Sequence, residues 1–108
     1  VNAAGTDGFV TVARLGEIPE GGVKVVRLGD VPVAVFHVHG EYFALEDLCT
    51  HDGGPLAEGV LDGEVIECPR HGARFDLRTG AVRALPATAP VPTYEVRVEG
   101  SEIKVGWS

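Results

Sequence analysis

The sequence predicts an all-β protein: an antiparallel sandwich base with a small β subdomain, roughly Glu46 to Leu85, inserted in it. Three observations carry this. Short alternating or β-branched apolar runs recur along the chain, and none reads as a long helix. Fifteen Gly and seven Pro punctuate 108 residues, a density suited to many turns. Valine is the commonest filler of the apolar runs, as a pleated, half-buried surface favours.

The elements follow in order. Val1 to Gly8 is small and polar and reads as a frayed end. Phe9 to Ala13 alternates as a strand. Leu15 to Gly22 is a loop with two apolar anchors, Leu15 and Ile18, and Gly22 to Leu28 is a second strand. Gly29-Asp30 turns into the run Val31 to Val38, where Pro32 implies an edge position or a strand start. His39-Gly40-Glu41 turns into Tyr42 to Leu45, completing a four-stranded meander, and Glu46-Asp47-Leu48 has room for one short turn. Gly59 to Cys68 reads as a hairpin turning at Asp62-Gly63. Arg74 to Leu77 and Ala81 to Arg83 flank a turn at Arg78-Thr79-Gly80. Leu85 to Pro92 carries three prolines and is a stiff connector. Tyr94 to Val98 and Ile103 to Trp107 form a closing hairpin about Glu99-Gly100-Ser101, with alternate residues on shared faces.

One domain with a modest core fits this length. The net charge of −7 argues against nucleic acid as a partner. It suits solubility, and equally docking on basic faces of partners. No apolar run reaches membrane-span length, and no charged n-region precedes an apolar h-region. The expected location is cytoplasmic, with no membrane partner.

The chemistry is concentrated in Cys49-Thr50-His51-Asp52-Gly53-Gly54-Pro55-Leu56 and Cys68-Pro69-Arg70-His71-Gly72-Ala73-Arg74-Phe75. These hold the only two cysteines, each with a histidine close behind, and sixteen residues separate His51 from Cys68. Two Cys and two His from two loops suit zinc or iron–sulfur chemistry. A Cys49–Cys68 disulfide would leave both histidines at ligand spacing by coincidence. Zinc is the stronger rival, although zinc fingers usually keep their cysteines in one half-site and their histidines in the other.

The pattern Cys-x-His, sixteen residues, Cys-x-x-His resembles the cluster-binding segment of Rieske-type proteins, above all the small ferredoxins of bacterial ring-hydroxylating dioxygenase systems. The resemblance covers most of the chain and implies the Rieske fold. It implies one [2Fe–2S] cluster per chain, with Cys49 and Cys68 on one iron and His51 and His71 on the other. Neutral imidazoles leave that cluster less negative than four thiolates do, so its potential rises above that of plant-type ferredoxins. Gly53, Gly54, Pro55, Arg70, Gly72, Ala73, Phe75 and Pro86 are the residues expected around it. Glycines at Gly53, Gly54 and Gly72 allow tight turns and close approach of backbone N–H groups to cluster sulfurs. Pro55 and Pro69 stiffen the loops. A proline-bearing loop covers one side of the cluster in the resembled family, and Leu85 to Pro92 is its counterpart.

Departures from the pattern sharpen the reading. High-potential Rieske proteins carry an extra, disulfide-forming cysteine in each loop; Gly54 and Arg70 occupy those places. They also carry a serine and a tyrosine whose hydroxyls bond cluster sulfurs; here these are Ala73 and Phe75. Two missing donors predict a low potential, about −150 mV. Respiratory Rieske proteins have an N-terminal membrane anchor, and none is expected here. Rieske domains of oxygenases resemble Cys-x-Tyr-His-Gly-Trp, but Arg70 and Ala73 fill the aromatic places. A terminal oxygenase also needs a mononuclear iron held by two His and a carboxylate, for which these residues leave no room.

His37 and His39 fall on one strand face and are expected to be surface or turn residues. The leading expectation is a soluble one-electron carrier, not an enzyme. It takes electrons from a flavin-containing, NAD(P)H-dependent reductase and delivers them to a terminal non-haem iron oxygenase. Electrons would leave near His51 and His71, with Pro55, Leu56 and the Pro86 loop as an apolar docking rim. The alternatives are the small Rieske subunit of an assimilatory nitrite reductase and a zinc-stabilised interaction module.

Overall fold

The computed structural model describes residues 8–50, 53–69 and 71–106. Those residues form eleven strands in three antiparallel sheets. The middle sheet has the order β2 (Val23–Leu28), β3 (Val31–Val38), β4 (Glu41–Glu46), β9 (Thr93–Tyr94). A three-stranded sheet packs on one side, ordered β1 (Phe9–Arg14), β11 (Glu102–Gly106), β10 (Val96–Glu99). On the other lies a four-stranded meander: β5 (Val60–Asp62), β6 (Val65–Glu67), β7 (Arg74–Asp76), β8 (Val82–Ala84).

The middle sheet explains the continuous apolar run at 31–38. Val33 and Val35 of β3 join Val12, Ile103 and Val105 in one core. Ala34, Phe36 and Val38 point to the opposite face and meet Leu56, Ile66, Phe75 and Leu77 in the other. A strand buried on both faces has no polar side to alternate with.

Three expectations about the frame change. The meander is β2-β3-β4 only, because β1 pairs with β11 from the far end of the chain. The run from Tyr94 to Val98 is not one strand. Tyr94 pairs with Ala44 in the middle sheet while Val96 pairs with Val105. Pro32 takes the second of its two expected places, the start of β3, with its carbonyl accepting from Asp47 N–H at 2.8 Å. In the β5–β6 hairpin Asp62 still pairs with Val65, so the turn is Gly63-Glu64. A glycine at the first central position matches a tight hairpin turn.

Smaller corrections follow the same logic. Of the two loop anchors only Ile18 is buried; Leu15 is 48% exposed. The short turn expected at Glu46-Asp47-Leu48 is closed by Leu48 N–H to Glu46 O at 2.8 Å, and a 3₁₀ turn at Leu56–Glu58, which buries Leu56, comes in addition. The expected frayed end, residues 1–7, and Trp107 lie outside the described residues. No helix among the described residues is long and apolar enough to cross a membrane.

Candidate metal centre

The two cysteine loops are built on one backbone plan. Cys49 N–H donates to Gly54 O at 2.7 Å, and Gly53 N–H donates back to Cys49 O at 2.7 Å. In the second loop Cys68 N–H donates to Ala73 O at 2.7 Å, and Gly72 N–H donates to Cys68 O at 3.3 Å. In both, the glycine four residues after the cysteine has φ of +78°. An L side chain is strained there, which is why the position is glycine in each loop. The Gly53 and Gly72 N–H groups, expected to face a cluster, are engaged in closing their own loops.

Each loop is fixed to a different support. The first leaves β4 through Asp47, whose carboxylate accepts from Ala57 N–H at 2.8 Å and so ties the start of the loop to the 3₁₀ turn. Thr50 Oγ donates to Ala89 O at 2.6 Å, joining this loop to the proline-bearing segment. That segment is held by Ala87 and Val91, both buried, and by Val91 N–H to Gly80 O at 3.0 Å. The second loop instead bridges β6 and β7. Glu67 and Arg74 face each other below it, Arg74 Nε lying 3.0 Å from Glu67 Oε1. That hydrogen bond first, and the nearby carboxylates, hold the Arg74 guanidinium above its ordinary pKa range.

Cys49 and Cys68 are both buried and are not joined in a disulfide. His71 is exposed at the second loop. The sulfurs therefore belong to the inner side and this imidazole to the outer. His51 and Arg70 lie outside the described residues. Gly54 is half-buried, Pro55 exposed and Pro86 half-buried, while Ala73 and Phe75 are wholly buried. Leu56, expected on the docking rim, is fully buried in the core and cannot serve there. Leu85, the first residue of the Pro86 loop expected on that rim, is 76% exposed.

His37 and His39 do not share a strand face. His37 lies in β3, stacked on Tyr42 with centroids 4.2 Å apart, its Nδ1 2.8 Å from Ile18 O. His39 sits in the following turn with φ of +54°, and its N–H donates to Glu20. Backbone N–H groups of His39 and Gly40, in that order, hold the Glu20 carboxyl below the usual range. Among the described residues no three His, Cys, Asp or Glu gather as a metal site.

Sequence reasoning missed Thr50, Asp47 and the Glu67–Arg74 pair. Only the last left a signal: once Cys68 and Ala73 close the loop, the residues flanking them must face each other.

Mixed cysteine–histidine loops on an all-β frame define a class, the iron–sulfur proteins with sulfur on one side of the centre and imidazole on the other. Within it, this chain belongs to the Rieske [2Fe–2S] domain family, whose model matches residues 8–95. It is 38% identical over 103 residues to the ferredoxin component of the naphthalene 1,2-dioxygenase system of Pseudomonas aeruginosa, covering 95% of this chain and 99% of that one. Among solved structures it resembles the ferredoxin of carbazole 1,9a-dioxygenase from Nocardioides aromaticivorans IC177. There the TM-score is 0.88 at 38% identity, over 93% of this chain and 98% of that chain. A complex of reduced oxygenase and oxidised ferredoxin in carbazole 1,9a-dioxygenase matches with a TM-score of 0.87 at 38% identity, over 94% of each chain. Membership of this family sets aside the zinc module.

Proposed function

We propose that the chain is the ferredoxin of a multicomponent ring-hydroxylating oxygenase system, a one-electron carrier and not itself an enzyme. It receives electrons from an NAD(P)H-dependent flavin reductase and passes them to a terminal non-haem iron oxygenase. The location follows from that donor: pyridine nucleotide is drawn on in the cytoplasm. The observation that carries the reading is the matched pair of loops, each rooted in a buried cysteine, on a chain similar along almost its whole length to dioxygenase ferredoxins.

The residues fit a single [2Fe–2S] cluster per chain. Cys49 and Cys68 would hold one iron and His51 and His71 the other. When bound, the cluster supplies reversible uptake of one electron. The chain's own part is to keep the thiolates dry, hold both loops in register and leave His71 at the surface, where a partner can approach. Pro55 and the Pro86 loop, through its exposed Leu85, remain as the apolar contacts without Leu56. Ala73 and Phe75 offer no hydroxyl, which keeps the potential near the low end of the Rieske range, about −150 mV.

The test is iron and sulfide analysis with visible and EPR spectra of protein purified without air. One cluster and a Rieske-type signal are expected, and His71→Ala and His51→Ala should each lose that signal while far-UV CD is kept. A wild-type-like signal in either variant would falsify the ligand assignment.

A further inference from the structure

Glu67 and Arg74 stand at the neck of the second loop, one residue before Cys68 and three after His71. Arg74 is shared: Nε lies 3.0 Å from Glu67 Oε1 and Nη1 3.3 Å from Asp62 Oδ2. Two carboxylates thus divide one guanidinium, and the group keeps a net negative charge. Its other end faces the loop. A Cβ placed on Gly72 would lie 3.9 Å from Glu67 Oε2, so the carboxylate stands on the side of the residue next to His71. Glu67 and Arg74 are each only about one-third exposed, so water damps their field without abolishing it.

We propose that Glu67 and Arg74 set the electron affinity of the metal centre from opposite sides, the carboxylate lowering it and the guanidinium raising it. The inference rests on the assignment of Cys49, His51, Cys68 and His71 as cluster ligands. Reduction adds one electron and one unit of negative charge to the centre and moves no bond. A fixed negative charge nearby disfavours the reduced form, and a fixed positive charge favours it. Both residues are positioning residues, acting through the field and through the loop neck.

The sign of the change separates charge from structure. The experiment is redox titration by visible and EPR spectra of the cluster-loaded protein at pH 7 and low salt. Glu67→Gln should move the one-electron equilibrium about threefold toward reduction, which is about 30 mV upward at 59 mV per tenfold. Arg74→Gln should move it about as far downward. Asp62→Asn should act like Glu67→Gln but more weakly, and added salt should shrink all three shifts. Arg74→Lys, which keeps the charge and loses the fork, should stay near wild type. Shifts of the same sign in Glu67→Gln and Arg74→Gln would mean that the pair only braces the loop, and the proposal fails. Unchanged potentials with an intact Rieske-type signal sink it as well. A wild-type protein without that signal overturns the ligand assignment beneath it, an outcome distinct from the other two.

Discussion

The two cysteine loops are the same object built twice and secured in two ways. Both close with a cysteine N–H to a carbonyl five residues on, and with a glycine N–H back to the cysteine carbonyl. Yet the histidine comes two residues after Cys49 and three after Cys68. The backbone plan is set by the Cys-to-Gly spacing, and the histidine offset is a change made within it. The supports differ more. The first loop is held by hydrogen bonds to a 3₁₀ turn and to the proline-bearing segment, the second by strand pairing and a cross-strand ion pair. Support from within a sheet needs no distant partner, whereas the first loop depends on residues nearly forty positions away.

The largest expected effect lies where the two supports meet. Gly59 leaves the first loop's 3₁₀ turn, and a Cβ there would stand 2.0 Å from the carbonyl of Glu67, which leads into the second loop. Gly59→Ala should destabilise by about 3 kcal/mol, since two backbones cannot part without moving both loops. Urea unfolding of the variant against wild type checks this, and a loss under about 1 kcal/mol would show the supports to be independent.

Next comes the turn that follows β7, whose Gly80 carbonyl also receives Val91 N–H from the proline-bearing segment. The Asp76 carboxylate accepts from Arg78 N–H at 2.8 Å, Thr79 N–H at 3.0 Å and Arg83 Nη1 at 2.8 Å. Burial alone would raise its pKa, but those three donors together hold it below the ordinary value of 3.8. A depressed carboxylate stabilises fully above its unfolded pKa and loses that contribution as pH falls through the lower folded value. Asp76→Ala should therefore cost about 2 kcal/mol near neutrality and progressively less as acid protonates the wild-type carboxyl below pH 3.8. Thermal melts from pH 7 to pH 2 would show the two proteins converging; parallel curves would refute it.

The sharpest comparison is between the glycines themselves. Gly53→Ala and Gly72→Ala should each cost about 1 kcal/mol, because both stand at φ of +78° with no crowding about the new Cβ. Equal costs support one plan built twice; unequal costs break it. The smallest effect belongs to the tie that only the first loop has. Thr50→Val removes the bond to Ala89 at an exposed site and should cost about 0.5 kcal/mol. Amide exchange should quicken around Ala89 and stay unchanged around Ala73.

The sequence by itself determined what short-range chemistry can encode. The Cys, His and Gly spacings mark both loops, since a positive φ and a metal-ligating side chain are properties of single residues. The apolar run at 31–38 marked its own strand, bounds included. Local reading faltered wherever burial was shared between distant segments. Leu56 looked like a rim residue because its neighbours are loop-forming, but only the packed core of Phe36, Phe75 and Ile66 draws it inward. Leu15 and Ile18 look alike in sequence, and packing buried one and left the other in water. The tertiary structure alone decided that β1 abandons its neighbour for β11, and that Tyr94 and Val96 serve different sheets. A strand's existence follows from its own residues, but its partner follows from which apolar faces, far apart along the chain, can be hidden together.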